Sequence, residues 1–589
     1  MNMLKGIFAV ALLILLIACG GGSSKTPAPT PTPTPAPTPT PAPTGFNVSP
    51  SSATVALSAH QVFTATSNGS PVAVNWSVSG VPGGNATVGT IDANGNFTGP
   101  ASFPAGANME TVTATLQSDN TKTANASATI VFPNDNHLRQ SGPVKLGTTG
   151  GNSMDFSGRF CCSGTLGSLM SRGGTLFILS NNHVLDKSDQ GTVGDPVTQP
   201  GLVDNNCMAG TVVAHLSQAA PLRPSCTGNC TGPSPSNVDA AIAQIASTSL
   251  VDMSGAILDL GTAGSSSIAP APPSSILAVP SAVLAANEGV AKSGRTSGLT
   301  CSTLGSINTL VSVQYASSCG GATAFTATFS HQLIINGGSF SANGDSGSLI
   351  VTSDTARPLG LLYGGDTTST SAHPIQDVIT AFTNSSGTPA VVGGADHAVS
   401  CDPTASSSAS LGNGASVASL PIAERQRVDV VRVRRTPVLL QNNVVRSVEV
   451  GASDDSPGEG ALLIRVTGST STPIPAVIDG VRTKLVFNEQ TGRAPMPVLD
   501  LGMIEQTTAV KEQNEAAWMS QPGIQGIGVG RSDDNPAETA IVIYVIQGQS
   551  HPAIPQLLDG VRTKIVEGDR FRAFGWGKET APATKCRKK

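Results

Sequence analysis

Residues 26–44, TPAPTPTPTPAPTPTPAPT, alternate proline with threonine or alanine and contain nothing that would fill a core. Proline fixes φ and lacks an amide hydrogen, so the tract suits neither a helix interior nor a sheet and favours extended polyproline II. At about 3.1 Å per residue it would span on the order of 60 Å. Folded domains are therefore expected beyond it. Ahead of it, Met1 to Lys5 is a short positive start, followed by an apolar run from Gly6 to Ala18 and then Cys19. That run is too short for an ordinary transmembrane helix and suits the apolar region of a signal peptide.

The stretch LIAC, residues 16–19, resembles the bacterial lipobox. The resemblance implies removal of residues 1–18, lipidation of Cys19, and a tether over 19–44. Membrane contact would then be through the lipid anchor only. Gly20 rather than aspartate follows the cysteine, which by analogy with Gram-negative lipoproteins favours the outer membrane. The expected location is the cell envelope, on its periplasmic or external side.

Beyond the tether, 589 residues are too many for one core, and a prior of roughly 150 residues per domain gives about four units. Charged residues make up only 12%, and 65 Gly with 42 Pro imply many turns. A net charge of −5 gives no general attraction to nucleic acid, and no such partner is expected. The expected class is multidomain and mainly β. Over 45–132, short runs such as QVFTAT, VNWSV and ETVTATL are separated by turns, and DANG at 92–95 suits a tight hairpin. Trp76 lies among alternating apolar residues and reads as core. GTIDANGNFTG resembles bacterial immunoglobulin-like domains, which implies a β-sandwich, read here as a spacer.

The next unit, 140–397, carries SANGDSGSLIV at 341–351. On composition alone, G-D-S-G is a polar turn before a buried strand. A serine hydroxyl becomes a useful nucleophile only beside a positioned base. His183, in LFILSNNHVL, follows a strand-like apolar run, whereas His331 and His373 have less distinctive settings. An acid must hold the imidazole in the correct tautomer. Asp239 in NVDAAIAQI begins a small-apolar run, where a buried carboxylate needs a partner; Asp252 and Asp259 lack that setting.

Together SNNHVL, NVDAAIA and GDSGSLI, in His–Asp–Ser order, resemble trypsin-like (chymotrypsin-fold) serine proteases across most of 140–397. The resemblance implies a double β-barrel. It makes His183, Asp239 and Ser346 the catalytic set, and Gly344 and Ser346 the oxyanion-hole donors, with no metal and no cofactor. Tyr363, Gly364 and Gly365 in LLYGG resemble the segment that pairs with substrate backbone. Phe340 stands where the base of the specificity pocket is expected, so cleavage after Lys or Arg is not implied; His373 is a further pocket candidate. The chain departs from the pattern in lacking an IVGG-like activation site, so Asp345 needs another partner.

Excluding Cys19, nine cysteines remain, and an exported chain permits disulfides. Cys301–Cys319 and Cys226–Cys230 are candidate local pairs, and Cys161 or Cys162 is a candidate partner for Cys207. The cysteines show neither C-x-x-C pairs nor accompanying helical histidine spacing, so zinc is not expected. A serine-rich linker, 398–419, leads to two repeats, 420–500 and 501–580, in which SDD (453–455, 532–534) and DGVRTK (479–484, 559–564) recur. They read as small α/β units packed together, with a helix over 505–519. The SDD turns read as solvated rather than calcium-binding.

The expected function is a serine endopeptidase acting on protein or peptide at the cell envelope by an acyl-enzyme mechanism. The alternative is a catalytically idle surface adhesion or scaffold lipoprotein. An intact triad favours the first, because an idle domain is free to lose a member.

Overall fold

The computed structural model describes residues 45–573 except 57–58, 101–108, 132–134, 158–159, 224–234, 261–270, 274–275, 317, 400, 402–419, 468–473 and 488–495. The signal segment, Cys19, the tether, Cys226 with Cys230, and most of the serine-rich linker lie outside the described residues.

The chain is mainly β, in several sheets. Three small sheets between Phe46 and Val131 surround one core containing Phe63, Trp76 and Phe97. The DANG turn joins Gly89–Ile91 to Asn96–Thr98: the Asp92 side chain accepts from the Asn94 and Asn96 amides, and Gly95 supplies a φ of +81°.

Two larger sheets follow. One runs Gly164–Leu166, Thr148–Asn152, Pro196–Gln199, Thr211–Ala219, Ala241–Ile245, Thr175–Ser180, Ser168–Arg172, Ala390–Val391, all antiparallel. The other begins Gly289–Gly294, Leu349–Thr352, Pro358–Gly365, Ser369–Pro374, Thr323–Asn336, Gly298–Ala316. Pairing of Gly289–Gly294 with Gly298–Ala316 closes these six strands into a ring. Nearly continuous apolar runs such as LIVT (349–352) fit strands buried on both faces.

The two C-terminal repeats have one topology. Each has a helix, Ile422–Leu439 or Leu501–Met519, then two antiparallel strands, then a strand parallel to the second. The first repeat forms its own four-stranded sheet. The second does not stand apart: Ile524–Arg531 pairs with Gly298–Ala316 and extends the ring's sheet. Apolar residues of the second repeat, Ile504 and Val529, share a core with Leu284 and Ile335.

The duplicated motifs meet each other. Ser453 and the Asp454 amide donate to Asp534, while Ser532 and the Asp533 amide donate to Asp455, at 2.5–2.7 Å. Arg482 donates to Thr563 O at 2.9 Å, and Arg562 to Thr483 O at 3.0 Å. The SDD turns are therefore not simply solvated; Asp455 and Asp534 are buried and hydrogen-bonded across the repeat.

Three disulfides are present among the described residues: Cys161–Cys207, Cys162–Cys319 and Cys301–Cys401. This corrects the expected Cys301–Cys319 pair and resolves the Cys207 partner as Cys161 rather than Cys162. Strand Gly298–Ala316 starts near Cys301 and ends just before Cys319, and at about 3.3 Å per residue it carries the two apart. Cys401, in the expected linker, is thereby tied to the central unit.

Candidate active site

His183 lies in a one-turn helix, Asn182–Leu185, immediately after strand Thr175–Ser180. Asp239 precedes the neighbouring strand Ala241–Ile245, which pairs with Thr175–Ser180, so sheet register brings the two together. His183 Nδ1 lies 2.5 Å from Asp239 Oδ2, and the His183 amide donates to Oδ1 at 3.1 Å. Asp239 is fully buried. Burial alone would raise its pKa, but the charge and hydrogen bond of His183, with His373 and the Tyr315 hydroxyl, outweigh it and hold the carboxyl below the ordinary aspartate value. An ionised acceptor fixes the proton on Nδ1, leaving Nε2 as the basic nitrogen. Nε2 is buried and has no hydrogen-bond partner among the described residues.

Two further residues hold Asp239. Tyr315 donates its hydroxyl to Oδ2 at 2.8 Å. His373, a pocket candidate in the sequence, lies fully buried behind Asp239, and its Nε2 accepts the Asp239 amide at 2.7 Å. Burial, with His183 nearby, depresses its pKa to about 3, so the ring is neutral. It stacks on Tyr363 with ring centroids 3.9 Å apart.

Ser346 sits in the turn between Ser341 and Leu349, flanked by Gly344 at φ +98° and Gly347 at φ +94°. A Cβ at Gly347 would lie 2.1 Å from Ser180 Oγ, and one at Gly164 would meet both Val184 and the Ser346 carbonyl. The serine turn thus packs against Ser180, which precedes His183, while Gly164 lies between the turn and Val184. Ser346 Oγ donates to the Tyr363 carbonyl at 3.3 Å. Thr165 clamps the turn: its amide donates to Ser346 O at 2.8 Å and its hydroxyl to Gly344 O at 2.9 Å.

Asp345 has the partner that the sequence left open. Lys292 Nζ lies 3.2 Å from its Oδ2, both side chains fully buried. The amides of Thr296, Ser297 and Ala342 and the Ser297 hydroxyl also donate to it. Burial lowers the Lys292 pKa against the opposing pull of Asp345. Phe340 is buried in the second core, its ring near Lys292.

A cleft beside His183 is lined by Asp155, Lys187, Tyr315, Cys319 and Ala573, among others. Neither Phe340 nor His373 is among its lining residues. The Asp155 carboxyl is pushed up to about 6 by burial, opposed by Lys187 and His183. Among the described residues no cluster of His, Cys, Asp or Glu is arranged to hold a metal ion.

Sequence reasoning missed Thr165, Lys292, Tyr315 and Asp155. Lys292 left a faint signal, a lone cation inside the apolar-small run GVAKSG.

No family model matches the chain, and no curated protein matches it. Among solved structures it is similar to Thermobifida fusca Protease A, at 16% identity and a TM-score of 0.26, over 43% of this chain and 100% of that one.

Proposed function

We propose that the chain is a serine endopeptidase that cleaves peptide bonds through an acyl-enzyme. The observation that carries this reading is the His183–Asp239 pair: a buried, ionised carboxylate fixes the imidazole tautomer, and the serine turn packs against Ser180, at the end of the strand that leads into the histidine. Ser346 attacks the carbonyl while His183 Nε2 takes its proton and later gives it to the leaving amine. Asp239 keeps the Nδ1 proton in place and stabilises the imidazolium. Water then repeats the sequence on the acyl-enzyme. The amides of Gly344 and Ser346 would receive the oxyanion, in a turn that Thr165 and the Lys292–Asp345 pair hold in shape.

We read the central unit as a chymotrypsin-like double barrel and residues 45–132 as an immunoglobulin-like spacer. We place the protein at the cell envelope through lipidated Cys19, a location that three disulfides favour. Purified protein lacking residues 1–44 is expected to degrade an unfolded protein substrate, with activity lost in Ser346→Ala and His183→Ala. Equal degradation by the Ser346→Ala variant would refute the assignment. Metabolic labelling with a fatty acid, lost in Cys19→Ala, tests the anchor.

A further inference from the structure

The last described strand, Arg572–Ala573, lies on the edge of strand Pro358–Gly365. Arg572 and Ala573 run antiparallel to Gly365 and Gly364, while Arg572 also faces Gln314 of the neighbouring strand. The fit is close: a Cβ on Gly364 would lie 2.4 Å from the Arg572 carbonyl oxygen. Antiparallel pairing directs the strand from Gly365 towards Tyr363, whose carbonyl accepts the Ser346 hydroxyl. Ala573 lines the same cleft as His183 and Tyr315.

We infer that residues 571–573 act as a built-in inhibitor, occupying the strand edge that presents substrate to Ser346; this rests on the proposed peptidase reading. Backbone pairing at an open edge accepts any extended segment, so the same edge that holds Ala573 would hold substrate. The anchor and the blocking residues are separate. Phe571 is fully buried beside Tyr363 and Tyr544, its amide donates to Gln525 Oε1, and its carbonyl accepts from the Gln314 amide. Beyond Phe571, among the described residues, Arg572 and Ala573 pair with the edge, and the Arg572 side chain is exposed. Displacing these two residues breaks that ladder while Phe571 keeps the second repeat docked. Until then, a tethered strand acts at an effective concentration on the order of millimolar and excludes weaker peptides.

The test is the full chain carrying Arg572→Pro and Ala573→Pro, with a chain ending at Phe571 as the second variant. Each is compared with the unaltered protein for reaction with a fluorophosphonate probe and for hydrolysis of a peptide library. Both variants are expected to react at least about tenfold faster. A synthetic peptide of residues 569–576, DRFRAFGW, is expected to slow them again competitively. Equal reaction of Ser346 in all three chains would overturn the inhibitor while leaving the peptidase. No reaction of Ser346 in any folded chain would overturn both.

Discussion

Lys292→Met removes the ammonium but keeps most of the side-chain volume, leaving the Asp345 carboxylate without its cation in a site where both partners are fully buried. Four donors, from Thr296, Ser297 and Ala342, still hold the buried carboxyl group. Breaking a buried pair in this way costs about 3–5 kcal/mol, and the remaining donors argue for the lower end, about 3 kcal/mol. For a unit of this size that is a fall in Tm of about 6–12 °C. Because Asp345 adjoins Ser346, kcat is expected to fall by about a hundredfold, as when one oxyanion donor is misplaced. Adding Asp345→Asn removes the charge but turns an amide group towards the Ala342 N–H, so about half the lost stability should return. Thermal unfolding followed by circular dichroism reads all three proteins. A fall below about 2 °C, or no recovery in the double variant, would mean that the Lys292–Asp345 pair does not stabilise the serine turn.

Asp239→Asn should lower kcat by about ten-thousandfold through the wrong imidazole tautomer. Because the folded pKa of Asp239 is depressed, its stabilisation is present above the unfolded value near 3.9 and is lost as pH falls towards the folded one. The difference in urea midpoint between wild type and this variant should therefore narrow from pH 6 to pH 3. Asp534 behaves in the opposite sense. Burial and then Asp455 raise its pKa to about 7, so its contribution is fully present below about 3.9 and is lost as pH rises through 7. Tm should fall between pH 5 and pH 8, and Asp534→Asn should flatten that fall. Replacing Cys301 and Cys401 with serine opens a loop with a sequence separation of 100 residues and should cost about 3–5 kcal/mol, read as a lower Tm under non-reducing conditions.

Local signals were legible where neighbouring residues decide the structure. The DANG hairpin, the burial of Trp76 and the 505–519 helix follow from turn chemistry and periodicity, although that helix begins at Leu501 with an Asp500 cap. The settings of His183 and Asp239 were also readable, since each lies at a strand end that the sheet brings together. What depends on long-range register was not readable. Cys301 finds Cys401 rather than Cys319 because a long strand separates the nearer pair. His373 was one pocket candidate, and pairing of Ser369–Pro374 with the two strands beside it turns the ring inward behind Asp239. The SDD turns looked solvated because nothing in one copy reveals that the other copy supplies its hydrogen-bond donors.

The proposed peptidase activity requires Ser346 to be a nucleophile activated by His183. The most direct measurement treats the protein, unaltered and with the Arg572→Pro and Ala573→Pro changes, with a fluorophosphonate and maps the modified residue by mass spectrometry. Modification of Ser346 is expected, abolished by His183→Ala and faster in the proline variant. Folded protein that stays unmodified at Ser346 in both forms, or that reacts there equally well without His183, would contradict it.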